Sequence, residues 1–516
     1  MKKSALAILL LLSATLHAQP NIEWQRCLGG SGLDEAYCSK QTSDGGFIIA
    51  GHTRSNNGDV FGNHGGYDAW LIKLNPAGSV EWKRCYGGSG DEWCHSVEQT
   101  VDGGYIFAGL TYSNNFDVSG NHGDSDAWVV KVDSSGIIQW QKCLGGSQTE
   151  VARCVIQTED GGYSVVCRTN STNGEITVAK GGHDFWVVKL DETGQIEWQK
   201  SYGGTWDDNP HFIRQTTDGG YILTGETFSI NGDVQSDQHG DGDYWVVKLS
   251  STGELEWERA LGGSFSDIGQ EVIQTSDGGY MVLGHASSGN WDMTIHYGGF
   301  DIWLLKLSPD GEIEWQKTLG GSDQDRSGSV LELEEGGFIV SGSTESTDGD
   351  INNNAGWADF WLVRLDNTGQ ILWERTFGGT LSEITRSMNL CLDVGMLLSG
   401  ITFSNDGDVS GNHGSSDIWV VKLSPFSLST TSIHPSALNV SPNPSTGRFI
   451  VNTGAAPGTS IDLQIFDLSG NTLHKKQLEE GGEADLGNLP SGNYFLRAIT
   501  PDGTVYQGKV IKCNQP

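Results

Sequence analysis

Two columns of acidic residues recur along the chain in step. One sets an acid two residues before a tryptophan, at Asp68, Asp126, Asp184, Asp243, Asp301, Asp359 and Asp417. The other stands nine or ten residues earlier, at Asp59, Asp117, Glu175, Asp233, Asp292, Asp350 and Asp408, with Asn63, Asn121 or Asn412 and several glycines between the two. Hard oxygen donors on flexible loops are what Ca²⁺ coordinates, about six to eight oxygens to an ion. These columns are therefore candidate Ca²⁺ ligands. The spacing matches no calcium loop with fixed ligand positions, and a second reading fits the same residues: each Asp before a strand folds onto loop amides as an Asx-type turn, repeated because the unit repeats. Linking segments add Asp34, Asp91, Glu150, Asp207, Asp267, Asp323 and Glu383.

Histidines at 64, 122, 239 and 413 share one column, broken by Lys180, Tyr297 and Ala355. Equivalent positions on separate units stand apart, so these residues predict turn capping rather than a shared metal centre. Cysteines fall in three sets, Cys27 with Cys38, Cys85 with Cys94 and Cys143 with Cys154, and in an exported chain they are candidate disulfides. Cys167, Cys391 and Cys513 are left over. Four tryptophans lie outside the repeated columns, Trp93, Trp206, Trp291 and Trp357. All four fall in the loops expected on one face, where they either stack on a ligand's rings or close over the packing beneath.

No G-x-S-x-G elbow or H-E-x-x-H helix occurs in the sequence, and near-identical repeats leave few unique polar residues for an asymmetric catalytic pocket. The expected function is a non-enzymatic binding or adhesion module that takes a glycan or surface protein. The alternative is a secreted polysaccharide-active hydrolase or lyase using a carboxylate pair on the loop-rich face.

The elements that position these residues follow from the repeat. Tryptophans stand at 70, 128, 186, 245, 303, 361 and 419, and again at 24, 82, 140, 198, 257, 315 and 373, in both cases 58 or 59 residues apart. Gly pairs follow the second column, from Gly29-Gly30 to Gly378-Gly379. One period reads as four short strands: a hairpin about Ser43-Asp44-Gly45-Gly46, a long polar loop from Ser55 to Tyr67, a strand through Trp70, and a turn at Asn75-Pro76-Ala77-Gly78 into the last strand. Four antiparallel strands per period describe a β-propeller blade. The chain opens with a lone fourth strand, Asn21 to Arg26, and the last repeat stops after its third, Ile418 to Leu423. One strand plus three completes a seventh blade and removes the open edge of the ring. Connectivity then puts the long loops and the Gly-pair links on one face.

With 73 glycines, 5 methionines and a formal charge of −34, the 516-residue chain is all-β and repels nucleic acid. Residues 1–18 have the charged, apolar and small-residue sections of a secretory signal, and no later run predicts a transmembrane helix. The ring is expected over 19–424, a Ser/Thr/Pro linker over 425–435, and a small Ig-like β-sandwich over 436–516.

That last segment resembles the type A C-terminal sorting domain of the type IX secretion system of gliding-type Gram-negative bacteria. The resemblance rests on Ser441-Pro442-Asn443-Pro444 with Gly447, Ile465-Phe466-Asp467 with Gly470, Leu489-Pro490-Ser491-Gly492-Asn493-Tyr494, and Lys509-Val510-Ile511-Lys512. It implies passage across the outer membrane, removal by the system's sorting peptidase, and a mature chain released or attached at the cell surface. The repeats resemble uncharacterised propeller-like cargo of the same route.

Overall fold

The computed structural model describes residues 19–425, 436–466, 472–487, 489–500 and 505–513. The expected secretory signal (1–18), most of the expected linker and Gly470 lie outside the described residues. The described strands 22–423 form seven four-stranded antiparallel sheets. Blade one runs Asp34–Gln41, Phe47–Thr53, Asp68–Leu74, Val80–Tyr86, from the axis outward. Five more blades repeat that order.

The seventh has three strands of its own, Glu383–Leu390, Met396–Thr402 and Asp417–Leu423, and takes its outer strand from the other end of the ring, Ile22–Leu28. That strand pairs antiparallel with Asp417–Leu423, for example Gln25 with Val421 and Leu28 with Ile418. Inner strands of successive blades pack on one another all the way round, the first against the seventh. The ring is closed.

Seven apolar clusters hold it, one at each junction between blades. Both tryptophan columns serve these junctions. Third-strand Trp70, Trp128, Trp186, Trp245, Trp303, Trp361 and Trp419 are at most 1% exposed. In six blades their indole N–H is satisfied by the Gln or Glu after the second-column Trp, as in Trp128 to Gln141 at 2.8 Å and Trp419 to Gln25 at 2.9 Å; in blade one that residue is Lys83, which pairs with Asp59 at 2.8 Å instead. Six of the second-column tryptophans meet the aromatic that follows the next blade's hairpin turn edge-on, as Trp82 meets Tyr105 at 5.8 Å and Trp140 meets Tyr163 at 5.7 Å between ring centres; in blade seven that place is held by Met396.

A buried lysine fixes the hairpin-turn face. Lys73, on the third strand of blade one, reaches Asp44 of the turn at 2.9 Å and Glu81 of the outer strand at 3.0 Å, and donates to Leu74 O at 3.0 Å. Lys189, Lys248, Lys306 and Lys422 repeat this with their own pairs of acids. Burying an ammonium is tolerable only with such partners.

The expected disulfides do not form: all nine cysteines are free thiols. Cys27 lies on the outermost strand of its blade and Cys38 on the innermost of the next. Three strand spacings of about 4.8 Å separate those edges, far beyond the ~4.4–6.8 Å between Cα atoms that a disulfide spans. The same holds for Cys85 with Cys94 and Cys143 with Cys154.

The C-terminal segment is a separate β-sandwich. A five-stranded sheet (Ser436–Ala437, Val505–Lys512, Gly492–Ile499, Ser460–Phe466, Thr472–Glu479) faces a three-stranded one (Asn439–Ser441, Arg448–Asn452, Glu483–Asp485) over one apolar cluster.

Candidate functional site

The acid columns sit on the loop-rich face, where each acid has a defined job. The Asp that opens each third strand is at most 1% exposed. Its Oδ2 accepts from the backbone N–H four residues back: Asp68 from His64 at 3.0 Å, Asp184 from Lys180 at 2.8 Å, Asp359 from Ala355 at 2.8 Å. In three blades the histidine joins in, with Nδ1 of His64, His122 and His413 at 2.6 Å from the same oxygen. His239 instead stacks on Trp291, rings 4.5 Å apart and 10° from parallel.

A second carboxylate approaches from the next blade. The first residue of every inner strand is an acid that accepts from the second glycine of the preceding Gly pair, as Asp34 does from Gly30 and Glu92 from Gly88, both at 2.7 Å. In three blades this is not the acid expected from sequence: Glu92, Asp208 and Asp325 take the place given to Asp91, Asp207 and Asp323. A Cβ on Gly29 would lie 2.5 Å from Asp417 Oδ1 and 2.7 Å from Asp34 Oδ2, so glycine is required where the two carboxylates converge. Oδ1 of all seven third-strand aspartates has no hydrogen-bond partner. Burial, reinforced by the neighbouring carboxylate, pushes Asp184 up to about 7 and Asp243 to about 7.

The acid of the long loop makes a third connection. Oδ2 of Asp117 accepts from Gly87 N–H at 3.3 Å, and Asp233, Asp292, Asp350 and Asp408 bind the first glycine of their own preceding pairs in the same way. The two acids of one loop, expected to converge on Ca²⁺, thus face different neighbours and join adjacent blades. Among the described residues no group of three or more His, Cys, Asp or Glu side chains is arranged to hold a metal ion.

Above this layer the loops expose apolar rings. Trp206 is 61% exposed, Trp291 66% and Trp357 75%, with Phe61, Tyr112, Phe116, Ile230 and Phe265 also exposed on the same loops. Phe116 and Trp291 have φ of 55° and 58°. Gly58, Gly174, Gly232, Gly349 and Gly407 fill the corresponding place in the other five loops, all with positive φ. An aromatic residue in that left-handed region costs roughly 1–2 kcal/mol. Trp93 does not join the rim. It is half-buried near the axis and stacks on His52 at 5.2 Å.

On the axis the blades stop being equivalent. The fourth residue of the inner strands is Tyr37, His95, Arg153, His211, Gln270, Gly328 and Arg386 in turn. These side chains share one space: Arg386 lies over the Tyr37 ring at 5.0 Å, Tyr37 meets His95 at 5.3 Å, and His95 Nδ1 contacts Ala152 O at 2.9 Å. Burial, with Arg153 beside it, pushes His211 down to about 3. Near-identity of the repeats hides this asymmetry, which falls in a column where no two adjacent blades agree.

Fold and site define a closed seven-bladed β-propeller with a structured acidic loop face, followed by a small β-sandwich. Residues 439–513 match the family described as "Secretion system C-terminal sorting domain". This sorting domain gives the chain its address, export to the cell surface or extracellular space, and implies contact with the secretion machinery. Its motif residues lock the last strand. Asn443 donates to Lys509 O at 2.7 Å and accepts from Ile511 N at 2.9 Å; Lys512 Nζ reaches Gly487 O at 2.9 Å; Tyr494 OH donates to Pro490 O at 2.6 Å. Pro442, Pro444, Gly447 and Gly492 shape the turns and strand start that bring these groups together. No helix among the described residues is long and apolar enough to cross a membrane.

No curated protein matches the sequence. Solved structures of similar shape include BBS1N from its complex with ARL6DN (TM-score 0.42, 10% identity, 81% of this chain and 99% of that one). An α-L-arabinofuranosidase from Fusarium graminearum bound to an iminosugar inhibitor matches with TM-score 0.35 at 10% identity over 65% and 93%. A variant of Synechocystis apocarotenoid oxygenase matches with TM-score 0.35 at 11% identity over 80% and 95%.

Proposed function

We propose that the chain is a surface-displayed or secreted adhesion module, without catalytic activity of its own, whose loop-rich face binds an extracellular glycan. The sorting domain is then a removable label, processed by the sorting peptidase of the type IX system. The observation that carries the binding reading is the pair Phe116 and Trp291: two exposed aromatic rings held at positive φ where sibling loops have glycine. Strained, exposed aromatics contribute little to the fold and mark a recognition surface. Trp206 and Trp357 extend that surface, and flat rings among Asp and Asn side chains suit the mixed apolar and hydroxylated faces of sugars.

Glycoside hydrolysis needs two carboxyl groups open to substrate. The carboxylates that converge on this face, such as Asp184 with Asp208, are buried and occupied with loop amides, which favours binding over hydrolysis. The test is a combined glycan and surface-protein array probed with the full chain and with its Trp206→Ala, Trp291→Ala, Trp357→Ala triple variant. Glycan signals that vanish in the variant support the proposal. Signals on proteins alone, or glycan signals unchanged in the variant, overturn it.

A further inference from the structure

The chain carries a formal charge of −34, yet its axis is lined by arginines. Arg153, Arg326 and Arg386 come from inner strands and Arg168 from a second strand. Arg386 of blade seven lines one cavity with His285 of blade five, and it lies over the Tyr37 ring, which in turn meets His95 of blade two. The carboxylates sharing that space are Glu35 and Glu226; Glu226 is bound to Asn209 at 2.9 Å, and Glu35 lies 3.8 Å from His52. Nε of Arg153, Nε of Arg168 and Nε2 of His211 are buried there without a hydrogen-bond partner in the protein.

One side of this axis is hollow. At the depth where six blades carry a side chain, blade six has Gly328, and a cavity of about 80 Å³ opens beside it. Its walls are Gln270, His285, Arg326 and Arg386, with the hydroxyls of Ser327, Ser343 and Thr385 and the apolar edge of Ile384. The lining holds two guanidiniums and no carboxylate. His285 is fixed by Ser327 at 3.1 Å from Nδ1 and by the edge of Phe300 at 5.1 Å, and burial between Arg326 and Arg386 keeps it neutral. Arg326 lies over the face of Phe300 at 5.5 Å, which holds the guanidinium in place without neutralising it.

We propose that this cavity is an oxyanion-binding site in which Arg326 and Arg386 take the carboxylate, sulfate or phosphate group of a small solute, with Gln270 and the Ser327 and Ser343 hydroxyls completing its hydrogen bonds; the Thr385 hydroxyl is already donated to Gly342 O at 2.7 Å. Guanidiniums offer forked N–H pairs that match such groups in shape and charge. Net acidity of the surface does not oppose this at close range: exposed charges are screened beyond about 8 Å at physiological salt, and Arg326 and Arg386, although solvent-exposed, line the cavity and meet the anion at contact distance. The site is single, since only blade six lacks the side chain at this depth, and it is independent of the rim aromatics.

The experiment is calorimetric titration and thermal unfolding of the full chain in low-salt buffer, with D-glucuronate, inorganic sulfate and inorganic phosphate as separate probes and D-glucose as the neutral control. Saturable binding of at least one anion at one per chain, with a raised melting temperature, is the expected result; which probe binds most tightly identifies the oxyanion. Arg326→Gln and Arg386→Gln each weaken it by about tenfold or more, with each variant's own melting temperature without anion as the baseline for its anion-induced rise. A second measurement needs no variant: phenylglyoxal modifies Arg326 and Arg386 of the unaltered chain more slowly when the anion is present. No saturable heat with any anion, equal response to glucose, seven sites per chain, or modification rates indifferent to anion overturns the proposal.

Discussion

Replacing Phe116 and Trp291 together by glycine separates the fold's requirements from those of the rim. Phe116 is 71% and Trp291 66% exposed, so about a third of each side chain is buried. At roughly 200 Å² per aromatic side chain and ~25 cal/mol per Å², that third contributes about 1.5 kcal/mol each, an upper bound because the unfolded chain is itself partly collapsed. Trp291 gains somewhat more from His239 stacked on it at 4.5 Å. Against this, release of φ from 55° and 58° returns roughly 1–2 kcal/mol per residue. The two sums nearly cancel. Truncation of a buried junction aromatic such as Trp128 carries no such refund and costs ~3–5 kcal/mol. Chemical denaturation of the double variant is therefore expected to give a stability within about 1 kcal/mol of the parent per site, while glycan binding falls steeply. A loss of ~3 kcal/mol or more per site would show that the rings are packing residues and would refute the strain argument. Intact stability with intact binding would refute their role in recognition.

Three further outcomes follow from the ring. Val394 takes φ of 58° at the turn position that Gly45 holds in blade one, so Val394→Gly is expected to stabilise by about 1 kcal/mol in denaturant titration, and a loss of stability contradicts the assigned backbone. Deleting residues 21–28 removes the outer strand of blade seven, with pairing at six registered positions and the Gln25 partner of Trp419. At ~1 kcal/mol per hydrogen bond this is comparable to a whole domain's stability of ~5–15 kcal/mol, so an early melt and self-association through the bared edge are expected, and an unchanged monomeric melt contradicts closure. Asp184 is held protonated up to about 7 by burial and by Asp208, whereas unfolded Asp ionises near its ordinary 3.8. Its stabilising contribution is complete below the unfolded value and is lost as pH rises through the folded one. Asp184→Asn, which cannot ionise, should gain on the parent between about pH 4 and 7 and hold that gain above; a gap that is flat or shrinks over this range contradicts the paired-carboxylate geometry.

Ring architecture is legible in the sequence because its signals are local. Each tryptophan column marks one strand, the Asp-Gly-Gly turn marks one hairpin, and the lone strand before Cys27 supplies what the seventh repeat lacks. Partnerships are less legible. Whether Asp117 meets Asp126 or the Gly87 amide of the preceding link depends on the stagger between blades, which spacing does not encode. Cys27 and Cys38 are eleven residues apart, yet the chain crosses a blade's full width between them, so sequence proximity misleads. The axis is hardest to read, because reading a repeat means averaging it, and Tyr37, His95, Arg153, His211, Gln270, Gly328 and Arg386 are what the average discards. Exposed Phe116 escapes notice for the same reason, since its column reads as glycine.

The most direct test of recognition by the loop-rich face is titration of the bound glycan against two triple variants of the full chain. One carries Trp206→Ala, Trp291→Ala and Trp357→Ala on the rim; the other carries Ile137→Ala, Ile196→Ala and Leu372→Ala, exposed apolar residues that open the outer strands at the opposite end of the blades. The expected result is a loss of affinity on the order of tenfold or more for the rim variant alone. Equal affinities for both variants, or a loss confined to the second, would contradict it.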